Sequence, residues 1–119
     1  MPPIFEAGHY LCSELVRVGF RSLRGEARRV VGNLEEISAE RAVLLLEVPV
    51  PPQTELCFAS QGRRFQTVAE SCVHDPPLGY IVSLRFAGDY RWNPADFTPA
   101  HMLRVRDASR IAEAAAPRC

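Results

Sequence analysis

Arginine is the residue type whose spacing in this sequence most directly suggests chemistry. Five arginines lie between positions 17 and 29, with Glu26 as the only acidic residue among them. Arg17 and Arg21 are four residues apart, as are Arg24 and Arg28. A guanidinium group presents its N–H donors as a rigid fork that can form bidentate hydrogen bonds. These four residues are candidate binding residues, although an arginine-rich stretch also produces such spacing by chance.

A second candidate is the charged turn from Glu36 to Arg41, which links two apolar segments. Glu36 offers a carboxylate, Ser38 offers a hydroxyl, and Arg41 adds a further guanidinium. From the residues alone, the turn is either a solvated loop or a ligand-binding motif.

Metal chemistry would require distant residue pairs to converge. Cys12, Cys57, Cys72 and Cys119 form no C-x-x-C pair, and their spacing matches neither a zinc ribbon nor a secreted disulfide framework. The pairs His9-x-x-Cys12 and Cys72-x-His74 could supply four ligands only if the fold brought them together. We therefore predict free cysteines and no metal or other cofactor.

The motifs of common enzyme classes are absent. The sequence contains no G-x-S-x-G, no phosphate-cradling glycine loop, no H-E-x-x-H and no dinucleotide-binding fingerprint. We therefore predict a protein that is not an enzyme and has no catalytic residues.

Charge and hydropathy narrow the partners and the location. The formal net charge is zero, all 14 basic residues are arginine, and no run approaches the roughly 20 apolar residues of a membrane helix. A GC-rich genome explains the absence of lysine more simply than selection for the bidentate geometry of arginine does. The first residues lack the basic start and apolar run of a secretory signal, so we expect a cytoplasmic protein with no membrane partner.

An oligonucleotide-binding barrel is a further alternative for an arginine-rich β protein. It would need aromatic side chains exposed among basic strand residues. Phe20 and Phe65 lie next to arginines, but such residues are more often core aromatics beside solvated arginines. Nucleic acid is therefore not the favoured partner.

The elements that position these residues are predicted to be strands. Apolar residues alternate with Arg17, Gly19 and Arg21 in one segment and recur with the same period from Tyr80 to Phe86. Further strands are predicted at 28–37, where Gly32 suggests a bulge, and at 42–48, 55–59 and 63–73, with turns at Gly62 and Gly79. The expected core is Val16, Val18, Phe20, Leu44, Leu46, Phe58, Tyr80, Val82, Leu84 and Phe86.

This pattern predicts an all-β protein, a small six-stranded antiparallel barrel followed by short C-terminal helical turns. Asn93 and Thr98 each precede a proline, as capping residues do at the start of a helix. Trp92, Phe97, Met102 and Leu103 would then cover one mouth of the barrel. The expected division is an N-terminal segment at 1–13, a barrel at 14–88, and a helical cap and tail at 89–119, with further helix propensity from Ala108 to Ala116.

The order of these elements resembles the PilZ domain family over roughly residues 14–86. The resemblance rests on a strand, a turn of the form acidic-x-Ser-x-x-residue, an apolar strand, a proline-rich loop containing Thr54, and a closing strand from Gly79 to Phe86. Family members carry a D/N-x-S-x-x-G turn, where this chain has Glu36, Ser38 and Arg41. They also carry an R-x-x-x-R pair ahead of the first barrel strand, whereas residues 4–13 here contain no arginine.

The resemblance implies a bacterial signalling module that binds the second messenger cyclic di-GMP. In such a site, arginine forks would bind the phosphates and the O6/N7 edge of guanine, and the turn carboxylate would accept hydrogen bonds from the Watson–Crick donors of a guanine. The ligand-binding residues carried over from the family pattern and the arginine stretch are Arg17, Arg21, Arg24, Arg28, Glu36, Ser38 and Arg41. Because Arg41 replaces a glycine and Glu36 is one methylene longer than aspartate, we expect weak binding or none. The alternative is a PilZ-like adaptor that acts through a protein partner without ligand.

Overall fold

Antiparallel strands make up most of residues 8–104, which are the residues that the computed structural model of the chain describes. Seven strands are present in this range. They are β1 (Tyr10–Arg21), β2 (Ala27–Ile37), β3 (Arg41–Leu46), β4 (Glu55–Ser60), β5 (Arg63–Asp75), β6 (Gly79–Phe86) and β7 (Leu103–Arg104). The helix propensity noted from Ala108 to Ala116, and Cys119, lie outside the described residues.

Six of these strands close into a barrel, as predicted. The pairing order is β2-β3-β6-β5-β4-β1, and β1 also pairs with β2, which completes the cylinder. The short strand β7 pairs antiparallel with Tyr10 and Leu11 of β1. The first strand thus begins at Tyr10, a few residues before the expected barrel boundary at 14.

Alternation along the strands fills the barrel interior. Nine of the ten predicted core side chains are buried, and the tenth, Tyr80, is half-buried. Phe20 and Phe65 are also buried, with 7% and 3% of their surface exposed, so neither is available to stack on a base. Arg17 and Arg21 lie on the outer face of β1, as the period of two requires.

Two glycines have roles that their neighbours define. Gln61 and Gly62 connect β4 to β5 with positive φ at both positions, which is the pattern of a two-residue type I′ hairpin turn.

Gly32 does not form the bulge that we expected, because it pairs in register with Val16. A Cβ at Gly32 would instead overlap the buried side chain of Leu46 and lie 3.1 Å from the carbonyl oxygen of Leu45. The strand thus requires glycine there for close packing.

One mouth of the barrel is closed by the capping segment, defined here as residues 89–102. Trp92 and Phe97 are buried, and the Trp92 Nε1–H donates to the Phe97 carbonyl over 2.8 Å. The Phe97 ring meets Phe65 at 5.1 Å, and Trp92 meets Tyr10 edge-on at 5.5 Å. Trp92 and Phe97 thus belong to the barrel core, whereas Met102 and Leu103, which we also expected in the cap, are only partly buried.

The capping segment is not helical in the described range. The Asn93 side chain accepts hydrogen bonds from the backbone N–H groups of Ala95 and Asp96, so it caps a single turn that does not continue. The second expected helical turn is replaced by a turn at Ala100 and His101, after which Leu103 enters β7. Pairing with β1 has overridden the local capping signal. Residues 8–104 contain no helix that could cross a lipid bilayer.

The two ends of the barrel differ. The end that carries the capping segment, the β2–β3 turn and the β4–β5 hairpin is called the capped end below. The opposite end carries the β1–β2 hairpin, the proline-rich loop at residues 47–54 and the β5–β6 hairpin, and it is called the open end.

Candidate ligand-binding residues and surfaces

The β2–β3 turn is held by its own hydrogen bonds. The Ser38 N–H donates to the Arg41 carbonyl over 2.8 Å, and the Arg41 N–H donates to Ser38 Oγ over 3.3 Å. The Ala39 carbonyl accepts a hydrogen bond from the Trp92 N–H at 2.9 Å. The Ser38 hydroxyl is thus engaged inside the turn, and the turn is tied to the capping segment.

The charged side chains of the turn also have partners. Glu36 Oε1 lies 2.9 Å from His9 Nε2. Arg41 donates from Nε to Glu70 on β5 at 3.1 Å, and Arg85 donates to the other oxygen of the same carboxylate at 3.2 Å. The Arg41 guanidinium therefore extends across the outer face of β6, away from β2. A ligand at this turn would have to displace or bypass the Glu36–His9 and Arg41–Glu70 contacts.

The predicted arginines lie elsewhere. Arg21 donates to the Gly25 carbonyl at the tip of the β1–β2 hairpin, and Arg24 and Arg28 line a cavity at the open end. Arg28 and Glu36 are eight residues apart on β2, which corresponds to about 26 Å at ~3.3 Å per residue. The seven predicted residues thus form two groups at opposite ends of the barrel, with Arg17 between them.

Arg17 belongs to a basic groove on the outer wall of the barrel that sequence reasoning did not identify. The groove has a volume of about 750 Å³ and runs over β1, β2 and β4. Gly19 and Ala59 form part of its floor, and Arg29 and Arg64 join Arg17 along its sides. Alternation alone could place Arg17 and Arg29 outside. Arg64 lies on β5 opposite Ala59 of β4, and it joins them only because β4 also pairs with β1, which is far away in the sequence.

Perturbed acids and bases lie where the capping segment is fastened. Arg63 and the Tyr90 hydroxyl both donate to the Asp96 carboxylate, and these hydrogen bonds lower the pKa of Asp96. Burial, followed by the hydrogen bond to Asp96, raises the pKa of Tyr90 to about 12. Arg63 also lines the basic groove, and the hydrogen bonds that it and Tyr90 donate to Asp96 fasten the capping segment to β5 as a structural anchor.

Glu14 provides a second anchor. Its carboxylate accepts from the Ser60 hydroxyl at 2.5 Å and from the Ala100 N–H at 2.6 Å, which joins β1 to the β4–β5 hairpin and the capping segment. Partial burial opposes ionisation, but the hydrogen bonds outweigh it and lower the pKa of Glu14. The sequence carried no signal for either anchor, because each joins residues brought together only by the closed barrel.

The cysteines within residues 8–104 are free. Cys12 lies at the capped end, and burial, with the nearby charge of Glu35, raises the pKa of its thiol to about 12. Cys72 and His74 lie near the open end, so the two sequence pairs that could have held a metal do not meet. No group of three potential metal ligands occurs in the described part of the chain.

No protein-family model, no curated protein and no solved structure matches this chain. What the structure shows is the architecture, a six-stranded antiparallel barrel with one additional strand.

Proposed function

We propose that this chain is a non-enzymatic regulatory binding module of the PilZ type that acts through contacts with another protein, without the cyclic di-GMP binding usual in that family. The observation that carries the proposal is the occupied state of the β2–β3 turn. Glu36 pairs with His9, Arg41 with Glu70, and Ser38 with its own turn. The groups that would meet a guanine are already used within the protein.

The positions of the arginines support the same proposal. Cyclic di-GMP carries two phosphates and two guanines, so tight capture needs several arginines beside the turn that receives a base. Here Arg28 is about 26 Å from Glu36 along β2, by the ~3.3 Å rise per residue. Each lost bidentate contact to guanine costs about 1–3 kcal/mol. Loss of more than one such contact would weaken a micromolar dissociation constant to about 1 mM.

A protein partner suits the outer wall of β1 and β2. The basic groove combines Arg17, Arg29 and Arg64 with the side chain of Val31, which is 63% exposed, and Leu15 beside it is 72% exposed. Arginine next to apolar surface is a typical composition of protein interfaces.

A calorimetric titration with cyclic di-GMP separates the adaptor from the receptor. We expect no heat of binding at micromolar ligand for the native chain, and recovery of at most weak binding in Arg41→Gly. Micromolar binding by the native chain that disappears in Ser38→Ala or Arg21→Ala would establish the receptor and overturn the adaptor proposal.

Site-specific photo-crosslinking in cells tests the protein contact itself. A photoreactive side chain at Leu15, beside the basic groove, should give a discrete cross-linked protein. The same group at Asp89, exposed at the capped end, serves as the control. Identical products from both positions, or none from Leu15, would contradict a partner on this wall.

A further inference from the structure

One stretch of β2 has an unpaired backbone edge. The strand runs from Ala27 to Ile37, but β3 pairs only with Asn33 to Ile37. β3 ends at Leu46, where the chain enters the proline-rich loop, so β3 does not extend alongside residues 27–31 of β2. Within residues 8–104, no strand and no backbone hydrogen bond from a turn reaches the outer edge of residues 27–31.

The β1–β2 hairpin determines which backbone groups face this edge. The Ser22 N–H donates to the Glu26 carbonyl at 2.9 Å, and the Gly25 N–H donates to the Ser22 carbonyl at 2.8 Å, with Gly25 at φ 82. This is a three-residue loop with a G1 bulge, in which Ser22 and Glu26 form a hydrogen-bonded pair. Hydrogen-bonded pairs alternate along an antiparallel ladder, so Arg28 and Val30 bond to β1. The N–H and C=O groups of Ala27, Arg29 and Val31 therefore point to the free edge.

A cavity of about 570 Å³ adjoins this edge at the open end. Arg28 lies opposite Phe20 and shares its inward face. The far side is formed by Tyr80, which stacks on His74 with ring centroids 4.5 Å apart, and by Cys72. A strand laid along the edge would place alternate side chains in this cavity and over the basic groove.

Charge identifies the occupant that fits. Arg24 and Arg28 line the cavity together with one acidic residue, Glu26. Arg29 lies on the outer face of the edge, so the basic residues are in excess, and none of these three arginines forms an ion pair within the described residues. A second copy of β2 would bring Arg28 and Arg29 of both copies together, and like charges across a strand pair are destabilising. An acidic strand from another protein has the complementary charge.

We propose that β2 residues 27–31 bind an acidic, extended segment of a partner protein by strand addition, with an apolar side chain of that segment seated in the open-end cavity. The added strand occupies the line that β3 vacates after Leu46 and spans about 17 Å, five residues at ~3.4 Å each. This inference rests on the adaptor function proposed above and names the chemistry of its partner.

The direct test is a titration of the full chain with a short synthetic peptide in which glutamate alternates with phenylalanine and valine, followed by NMR amide exchange. In the free protein the amides of Ala27, Arg29 and Val31 should exchange rapidly, whereas those of Arg28 and Val30 are protected. The peptide should slow exchange at the first three by at least tenfold. Binding that leaves these amides unchanged would overturn strand addition, and so would an absence of binding.

Variants separate backbone pairing from charge. Val31→Pro removes a free N–H that β1 does not use, and an edge position of a sheet tolerates proline. This variant should bind the peptide at least tenfold more weakly. The control variant Val31→Thr should bind it as the native chain does. Peptides N-methylated at alternate residues make the same test without altering the protein. Arg29→Gln should weaken binding several-fold, with Arg91→Gln at the capped end as control. Equal binding of a lysine-substituted peptide would overturn the acidic partner.

The remaining outcomes distinguish this inference from the proposed function. Dimerisation of the peptide-free chain that is lost in Val31→Pro would assign the edge to a second copy and overturn the proposal. Specific cross-linking from Leu15 combined with failure of the peptide would leave the adaptor function in place and refute strand addition. Tight cyclic di-GMP binding would refute the adaptor function whatever the peptide does.

Discussion

Gly32 and Gly19 form a matched pair that tests how tightly the barrel wall is packed. Both lie inside strands, and neither has a positive φ that would itself require glycine. A Cβ at Gly19 would meet its nearest neighbour, the Arg28 carbonyl oxygen, at 3.9 Å, which is an ordinary contact. A Cβ at Gly32 would overlap the side chain of Leu46, which is only 1% exposed, and would lie 3.1 Å from the backbone carbonyl oxygen of Leu45.

The expected effects have opposite signs. Replacing glycine by alanine at a compatible position stabilises a protein by about 0.4–1 kcal/mol, because the unfolded chain loses conformational freedom. Gly19→Ala should gain that amount. Overpacking a filled core costs about 1–3 kcal/mol. After the same gain is subtracted, Gly32→Ala should be destabilised by up to about 2.6 kcal/mol.

Urea denaturation measures the stability of both variants. We expect the midpoint urea concentration to change, whereas the dependence of the unfolding free energy on urea concentration should stay the same. The double variant Gly32→Ala/Leu46→Ala supplies a further check, because the new methyl group would enter space that the shorter side chain leaves empty. The double variant should be less destabilised than the sum of the two single changes. A Gly32→Ala protein as stable as Gly19→Ala would show that β2 and β3 do not approach as closely as described.

Three further predictions concern the capped end. Asp96→Asn should lower the urea midpoint more than Asp89→Asn, because only Asp96 anchors Arg63 and Tyr90; equal midpoints would contradict the anchor. Folding lowers the pKa of Glu14, so its ionised carboxylate stabilises the fold at pH values above its ordinary pKa of 4.5. This contribution disappears as the pH falls through the lowered pKa of the folded protein. Glu14→Gln should therefore be less stable than the native chain at neutral pH and converge with it in acid, which denaturation at several pH values measures. At pH 9 the Cys12 thiol, with its pKa raised to about 12, should alkylate much more slowly than in urea-unfolded protein, and equal rates would refute its burial.

The strands were predictable from sequence because their signal is local. Alternation from Val16 to Phe20 and from Tyr80 to Phe86 reports directly which side chains face a core. Gly32 shows where this reasoning stops. A glycine in a strand indicates either a bulge or a close approach, and the choice depends on Leu46, which becomes its neighbour only after β2 and β3 pair.

The capping segment and the candidate site depended on contacts that no local pattern encodes. Asn93 gave a correct capping signal, but the turn it caps does not continue, because the backbone leads on to β7 and pairing with β1. The arginine spacing suggested one site for all the arginines and the turn. Strand register instead places Arg24 and Arg28 at the open end and Glu36 at the capped end.

The same asymmetry predicts a gradient of local stability along β2. At the capped end, Leu34 bonds within a ladder that has strands on both sides, is fully buried, and lies in a region fastened by Glu14. At the open end, Arg28 and Val30 pair only with β1 and carry exposed or half-buried side chains. Amides with few buried contacts open at lower free energy, so exchange should slow progressively from Arg28 through Val30 to Leu34. Native-state hydrogen exchange followed by NMR measures this order directly. Equal protection along the strand would mean that its free edge is as firmly held as its paired part, and that a partner strand would gain little by ordering it.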